Sequence, residues 1–337
     1  MIKSPFLLSL SAVALLSGCG GSSDSPTPQT GQFSLAVSDA PVDDASEVVL
    51  YFNEVVLVPE DGGEPTLIDL SADGPDRINL KDYTGSDSAP IVTDETLTVG
   101  NYTMCLYALD GDGSTDLSYV DSDSQGIVSL KVNSKGSCQG VKGNTEDAGR
   151  IFFNRPFTIN TGNNNFVAEF DLRQALVDPV GQTGMFIKPT AVQLINLAGV
   201  GNIAGTLTET QRLACEADTA SLLGVSEFQH AAYLYQDSRD RTTMGDIIGD
   251  ASYPDGSVLV EPVATADIAF DDASQSYRYE FGFVGEGDYS IGYTCVANND
   301  LADSHETDAE DFAIYQHYTP VTVDADQTTT QDLAPIL

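Results

Sequence analysis

Apolar and polar residues alternate over short stretches through most of the chain, as in residues 33–37 (FSLAV), and this period of two predicts β-strands with one buried face. Turn-forming residues separate the stretches. The predicted strands are residues 33–37, 48–58, 102–109, 127–132, 166–170, 232–235, 257–269, 277–284, 289–296 and 319–323. Helical periodicity is limited to residues 171–177, with Asp171 as N-cap, and more weakly to residues 219–229. Many strands and few short helices predict an all-β protein of antiparallel β-sandwiches.

The N-terminal residues have the features of an export sequence. Lys3 is followed by the apolar residues 5–16, which are too short to span a bilayer, and then by Leu16-Ser17-Gly18-Cys19. These four residues resemble the bacterial lipobox. The resemblance implies that residues 1–18 are a lipoprotein signal peptide. It also implies that Cys19 carries a lipid that includes palmitate, and that the protein is attached to a membrane through this lipid. Gly20 implies sorting to the outer membrane. The alternative is an ordinary secretory signal with an unrelated cysteine.

Residues 19–32 are rich in Gly, Ser, Pro and Thr and lack apolar periodicity, which predicts a flexible tether. Beyond the tether, similar segments occur twice in the same order. The sequence LTVGNY at residues 97–102 corresponds to VGEGDY at residues 284–289, and each runs into a strand that contains a cysteine. We therefore expect two tandem domains of related architecture, residues 33–196 and 197–337. Chance similarity between hairpins is the alternative.

Four further cysteines, Cys105, Cys138, Cys215 and Cys295, indicate an oxidising compartment. An even number of cysteines in an exported chain predicts two disulfides, with three possible connectivities. We expect Cys105 to pair with Cys138 and Cys215 with Cys295, because each pair then lies within one proposed domain. Metal ligation is the alternative, but neither a CxxC spacing nor a cluster of histidines accompanies these cysteines.

The first proposed domain is similar to a bacterial lipoprotein family called domain of unknown function 4382. The segments that carry the similarity are residues 35–42 (LAVSDAPV), 45–55, 100–102, 170–173 (FDLR) and 186–190. The second proposed domain resembles the transthyretin or carboxypeptidase-regulatory type of β-sandwich, on residues 201–207, 232–235 and 279–289. These resemblances imply transthyretin- or immunoglobulin-like sandwiches and an envelope location. They imply no reaction.

The acidity of the chain excludes one class of function. Lys and Arg total 14 against 51 Asp and Glu, and the net charge is -37. Such a surface repels phosphate, so we expect no nucleic acid among the partners.

Two acidic segments are candidate cation sites. Asp110, Asp112, Ser114 and Asp116 place oxygen side chains at alternate positions of one loop, as calcium loops do, and they predict possible calcium binding. A solvated acidic turn is the alternative interpretation. The second segment contains Asp303, His305, Glu306, Asp308, Glu310 and Asp311, but its spacing matches no known ligand pattern, and an exposed insertion is the simpler explanation.

Catalytic motifs are lacking: the sequence contains no GxSxG elbow, no HExxH and no glycine-rich phosphate loop. We therefore expect no enzyme but a lipid-anchored cell-envelope protein that acts as a binding, adhesion or scaffold module for an unknown protein or glycan ligand. The alternative is an envelope hydrolase with paired carboxylates, the arrangement that glycoside hydrolysis needs.

Overall fold

The computed structural model of the chain describes residues 28–40, 45–71, 76–142, 147–179, 181, 183–248, 252–254, 256–301, 305 and 312–336. Within this part, 21 strands and two α-helices form four sheets, and the fold is all-β, as the sequence predicts. Short 3₁₀ turns span Leu80–Asp82, Pro189–Ala191, Arg241–Thr243 and Ala297–Asn299. Neither described helix is long and apolar enough to cross a membrane.

Thirteen strands form the first sandwich. They are β1 (Thr30–Ala40), β2 (Ala45–Pro59), β3 (Thr66–Asp69), β4 (Asp76–Asn79), β5 (Ala89–Thr98), β6 (Gly100–Leu109), β7 (Tyr119–Ser122), β8 (Gly126–Val132), β9 (Ala148–Ile159), β10 (Gly162–Asp171), β11 (Leu176–Val177), β12 (Met185–Ile187) and β13 (Val192–Asn196). One sheet has the order β13-β10-β1-β5. The other has the order β11-β12-β8-β7-β2-β6-β9, with β3 and β4 also paired to β2. Their facing side chains form one apolar core that includes Phe33, Phe52 and Phe170.

Eight strands form the second sandwich. They are β14 (Val200–Leu207), β15 (Ala231–Gln236), β16 (Ala264–Asp267), β17 (Ala269–Asp271), β18 (Ser276–Gly285), β19 (Gly287–Thr294), β20 (Gln316–Val323) and β21 (Thr328–Thr330). The two sheets have the orders β17-β18-β14-β21 and β16-β15-β19-β20. A separate core, with Ile203, Phe281 and Ile291, lies between them.

The same pairing scheme occurs in both sandwiches. Strand β1 pairs with β5 antiparallel and with β10 parallel, as β14 pairs with β18 and β21. Strand β6 lies between β2 and β9, as β19 lies between β15 and β20. The hydroxyl of Tyr102 donates to the Thr98 carbonyl at 2.8 Å, and that of Tyr289 donates to the Gly285 carbonyl at 3.0 Å. The repeated segments in the sequence therefore fold into equivalent hairpins.

Two features of the strands differ from the sequence-based expectations. The sheets are mixed, because β1–β10, β8–β12 and β14–β21 are parallel pairs. Residues 257–269 are not one strand: only β16 and the first residue of β17 lie in this range, and residues 257–263 make isolated contacts such as the Met244–Val260 bridge. The stretch contains β-branched residues, but among the described residues no strand pairs with it over its full length.

The helices are α1 (Leu172–Ala175) and α2 (Glu209–Leu223). Helix α1 begins after Asp171, whose carboxylate accepts from the Gln174 amide, so this predicted cap is confirmed. The prediction for residues 219–229 was wrong, because α2 starts ten residues earlier. Thr208 accepts from the Gln211 amide, and Gly224 closes the helix in the left-handed conformation at φ 72°. The sequence signal Thr-x-x-Gln was present but was overlooked.

Each sandwich contains one disulfide, with the pairing that the sequence predicts. Cys105 on β6 is bonded to Cys138, and Cys215 on α2 is bonded to Cys295 after β19. All four cysteines are buried. The bonds span 33 and 80 residues, so each closes a large loop of the unfolded chain.

Replacing both Cys215 and Cys295 by Ala should lower the free energy of unfolding by about 4 kcal/mol. Without the disulfide the unfolded chain gains conformational entropy, and folding must then close the longer loop at the cost of that entropy. Replacing Cys105 and Cys138 should cost slightly less for the same reason. Chemical denaturation under oxidising conditions measures both. Equal stability of the wild type and the two double variants would contradict this account.

Candidate functional site

The two motifs of the family resemblance lie side by side in the structure. Strands β1 and β10 run parallel, and their register places Asp39 opposite Phe170, between Glu169 and Asp171. Asp39 belongs to LAVSDAPV and Asp171 to FDLR. Asp39 lies in β1 and is 1% exposed. Three carboxyl groups from two distant segments therefore gather at the same end of one sheet.

Asp39 is the most enclosed of these acids. Neither carboxylate oxygen meets hydrogen-bond geometry with a described residue, although the Leu172 amide lies near enough to favour the charged form. Burial raises the pKa of Asp39 well above its usual range, and the Asp171 carboxyl raises it further, while the Lys81 ammonium opposes this shift. Asp39 is therefore protonated over a wider pH range than an exposed aspartate.

The neighbouring carboxyls also hold protons more tightly than usual. Burial, followed by the Asp171 charge, raises the pKa of Glu169 to about 8. Burial raises the pKa of Asp171 to about 6, and the Gln174 amide and the Arg173 guanidinium limit that shift. The side-chain amide of Gln174 also donates to Asp171 at 2.9 Å. The cluster therefore exchanges protons near neutral pH.

Arg173 connects this cluster with the second sandwich. Its guanidinium donates to Asp267 at 2.6 Å and to the Tyr233 hydroxyl at 3.4 Å. The Arg173 side chain is 8% exposed, so the ion pair with Asp267 is largely removed from water. A pair of this kind depends on both partners, because either charge alone is costly to bury. Arg173 thus ties helix α1 to strands β15 and β16.

The polar chain continues from Tyr233 to Asp300. The Tyr233 hydroxyl donates to Asp300 at 2.6 Å, and the Ile247 amide donates to the same carboxylate at 3.1 Å. Burial raises the pKa of Asp300 to about 7, although the Tyr233 hydrogen bond opposes this shift and Asp246 adds to it. Buried carboxyls on both sides of the junction therefore titrate close to neutrality.

A close backbone contact joins the sandwiches beside this chain. A Cβ placed on Gly282 of β18 would lie 1.9 Å from the Gly85 carbonyl oxygen. Gly85 follows Thr84, which forms a backbone bridge with Asp39. Only glycine permits this approach, because real Cβ atoms do not come so near a backbone oxygen. The junction is therefore packed as well as charged.

The acidic segment near residue 305 is described only at His305. Its imidazole Nδ1 lies 3.1 Å from the Asp246 carboxylate, and its ring meets the Tyr253 ring edge-on at 5.0 Å. The Asp246 side chain is 1% exposed. Asp303, Glu306, Asp308, Glu310 and Asp311 lie outside the described residues. The described part places His305 on the second sandwich, against a buried acid.

The predicted calcium loop has internal hydrogen bonds. The Asp112 carboxylate accepts a hydrogen bond from the Ser114 amide at 2.9 Å, and the Ser114 hydroxyl accepts one from the Asp116 amide. Hydrogen bonds from Ser114 lower the pKa of Asp112. Asp110 pairs with Lys135. Within the described ranges no three Asp, Glu, His or Cys side chains are grouped to hold a metal. Calcium binding at this loop stays a prediction, as does lipidation of Cys19, which lies outside the described residues.

A groove of about 640 Å³ opens where both sheets of the first sandwich end. One wall is the terminal strand β9, with Phe152, Phe153, Arg155, Pro156 and Phe157, and the other is the segment from Pro189 to Leu194 that leads into β13. Phe157 lies 4.7 Å from Phe166 and 6.0 Å from Phe33, ring to ring. The groove floor is therefore continuous with the aromatic core.

A second depression of about 370 Å³ adjoins the first and shares Phe152 and Phe153 with it. Arg150 lies in its wall, 5.0 Å above the Phe152 ring, and its guanidinium donates to the Ser137 carbonyl and to the Ser134 hydroxyl. Together the two depressions form an elongated surface along β9, lined by aromatic rings and arginines. We call it the β9 groove.

Strand β9 begins in the most basic segment of an acidic chain, and Arg150 and Arg155 of this segment line the groove. Residues 131–155 contain five of the 14 basic residues, namely Lys131, Lys135, Lys142, Arg150 and Arg155, and only two acids, Glu146 and Asp147. The segment has a net charge of +3, whereas the remaining nine basic and 49 acidic residues give -40. Sequence reasoning missed this segment, although its charge is visible without a structure.

The comparisons with known proteins identify a family for one part of the chain. Residues 30–189 match the family described as Domain of unknown function (DUF4382). The first sandwich is therefore similar to this family, in agreement with the resemblance seen in the sequence. No curated protein matches the chain.

Solved structures align over most of the chain at low similarity. A Bacteroides fragilis protein described as a suspected cell adhesion protein is 10% identical, with 91% of this chain and 92% of that chain covered, at a TM-score of 0.20. GBS52, the minor pilin of Streptococcus agalactiae, is 11% identical over 89% and 94%, at 0.17. The major pilin T-13 of Streptococcus pyogenes is 12% identical over 91% and 97%, at 0.15. Similarity this low supports no conclusion about function.

Replacing Gly282 by Ala should loosen the junction, because the added methyl group cannot share space with the Gly85 carbonyl. Backbone amides of residues 84–87 should then exchange with solvent at least about tenfold faster, as expected when a local contact opens. Gly285→Ala on the same strand is the matched control, since its Cβ would meet only the Tyr289 hydroxyl at 3.6 Å. Unchanged exchange in Gly282→Ala would contradict the packed junction.

Raising the pH from about 4.5 to 8 should lower the free energy of unfolding. In the unfolded chain Glu169 ionises near its ordinary pKa of 4.5, whereas in the folded protein its pKa is about 8, so the folded state binds more protons in this window and loses stability as they leave. Glu169→Gln should reduce that loss by at least about 1 kcal/mol. Denaturation at several pH values measures this, with the exposed Glu64→Gln as control. Identical pH profiles for wild type and Glu169→Gln would refute the assignment.

Proposed function

We propose that the protein is a lipid-anchored, non-catalytic binding module of the cell envelope, and that the β9 groove is its contact surface. The groove carries this proposal because it combines three features in one place: an apolar floor, exposed sheet edges and the only region of the sequence that is rich in positive charge. Aromatic and arginine side chains are the residues enriched in protein interfaces. Adhesion and scaffolding are both forms of such binding.

The anchoring half of the proposal is supported by sequence. Leu16-Ser17-Gly18-Cys19 fits acylation of Cys19, and the following tether would hold the sandwiches near the outer membrane while leaving them free to rotate. Two disulfides suit an oxidising compartment. The junction at Arg173 would keep the groove in fixed orientation to the second sandwich, for which a transthyretin-like architecture remains part of this proposal.

An envelope hydrolase is the second candidate, because the cluster of Asp39, Glu169 and Asp171 provides carboxyls with raised pKa values, which is typical of acid–base sites. The enclosure of Asp39 and Asp171, 1% and 9% exposed, weighs against it, since a substrate must reach both groups. The same cluster has a structural role at the junction. We therefore rank binding above hydrolysis.

A photo-crosslinking amino acid at Gln193, on the exposed rim of the groove, should yield a discrete covalent adduct with an envelope component in intact cells. The matched control is the same amino acid at Leu222, which is 82% exposed on α2. The adduct should appear at Gln193 and not at Leu222. No adduct at Gln193, or the same adducts at both positions, would contradict a specific contact surface.

An alkyne-labelled fatty acid supplied to the same cells tests the anchor. The wild type should incorporate the label, and Cys19→Ala should not. Labelling of both proteins, or of neither, would contradict acylation at Cys19.

A further inference from the structure

The edge of strand β9 that faces away from β6 has no partner strand among the described residues. Among the described residues, β9 pairs only with β6, and β13 on the opposite wall pairs only with β10. The Arg150 amide donates to the Ser134 carbonyl at 2.8 Å, on the side away from β6. Backbone groups alternate along an antiparallel strand, so the amide and carbonyl of Phe152 also point away from β6. They present a donor and an acceptor to whatever lies beside β9.

Side chains on both walls suit a partner that is itself an extended strand. Phe153 is 7% exposed and Phe157 is half-buried, so the floor offers apolar contact at spaced positions. Val192 and Leu194, two residues apart on β13, line the wall opposite these rings. A strand that sends every second side chain to one face matches this spacing.

The charge of the groove selects the sign of its partner. Arg155 is exposed at the edge of β9 and, within the part of the chain that the structure describes, forms no ion pair. Lys131 and Lys142 belong to the same basic segment. Opposite charge on a partner would be attracted here, whereas the remaining surface of the protein, with its excess of acids, would repel it.

We propose that the β9 groove binds an extended acidic polypeptide segment of a partner protein, which pairs with β9 through the Phe152 backbone, places apolar side chains on the groove floor and directs carboxylates to Arg155. Unpaired backbone groups favour a polypeptide over an anionic polysaccharide, which lacks the alternating amide groups of a strand. This inference rests on the proposed function, since it names the class of partner for the same surface.

The test uses the full-length lipidated protein in detergent and a fluorescent peptide of about ten residues that alternates glutamate and valine, the length of a typical strand. The peptide should bind, and the same peptide with lysine in place of glutamate should not. N-methylation at alternate residues should abolish binding, because it removes the amides that pair with β9. Arg155→Glu should weaken binding at least about tenfold, whereas Arg278→Glu, an exposed arginine on the second sandwich, should change it less than about twofold.

Several outcomes would overturn the inference. Equal binding of the N-methylated peptide would show attraction without strand pairing. Displacement of the peptide by polygalacturonate as effectively as by unlabelled peptide would indicate a site for polyanions in general. Absence of binding would show that Arg155 and Pro156 protect the edge from pairing, as charges and prolines do in other sheets. If crosslinking from Gln193 succeeds while the peptide fails, the binding surface stands and only the acidic strand is excluded.

Discussion

Positive charge is scarce in this molecule, and the positions of its few basic side chains determine where acidic groups can gather. The chain has 14 basic and 51 acidic residues. A buried carboxylate needs a nearby cation, hydrogen-bond donors or a proton. At the junction, one guanidinium, that of Arg173, contacts Asp267 and the Tyr233 hydroxyl and lies close to Asp171. Asp39 and Glu169 have too little compensation for their burial, so their pKa values are raised. Arg173 is thus the cation that links the sandwiches, beside the close backbone contact of Gly282 with Gly85.

The same scarcity makes the β9 groove distinctive. At physiological ionic strength charges are screened beyond about 8 Å, so the large negative charge elsewhere does not cancel the charge of the two arginines that line the groove. Lys135 forms an ion pair with Asp110, whereas Arg155 is exposed at the rim and forms no ion pair with a described residue. A partner with negative charge therefore meets favourable potential at this surface and unfavourable potential over the acidic remainder. Apolar lining and free backbone groups then add contact and register.

Local signals in the sequence were sufficient for much of the architecture. Alternation located nine of the 21 described strands, the repeated Gly-x-Tyr located the equivalent hairpins, and the cysteine spacing within each half anticipated both disulfides. The gathering of Asp39 with Asp171 was not foreseeable, because it depends on the parallel pairing of β1 with β10, two strands far apart in the chain. Periodicity shows which face of a strand is buried, but it does not show which strand lies beside it.

The candidate site illustrates the same limit. The sequence indicated the loop at Asp110–Asp116 as a candidate site, because acids lie close together along the chain there. It did not indicate β9, which matters because it is the terminal strand of its sheet. Only the sheet order reveals that β9 and β13 are the outermost strands of their two sheets and that a groove lies between them. The basic segment at residues 131–155 was the one local signal for it. Charge composition taken over the whole chain concealed that segment.

Among the described residues no strand pairs with β9 at Phe152 on the side away from β6, and the Phe152 amide reports directly on whether a partner strand binds there. Hydrogen exchange at this amide should be fast in the protein alone and should slow when the acidic peptide is added, because strand pairing gives the amide an acceptor. Exchange at exposed amides of the second sandwich should not change. A Phe152 amide that exchanges at the same rate with and without bound peptide would contradict the account.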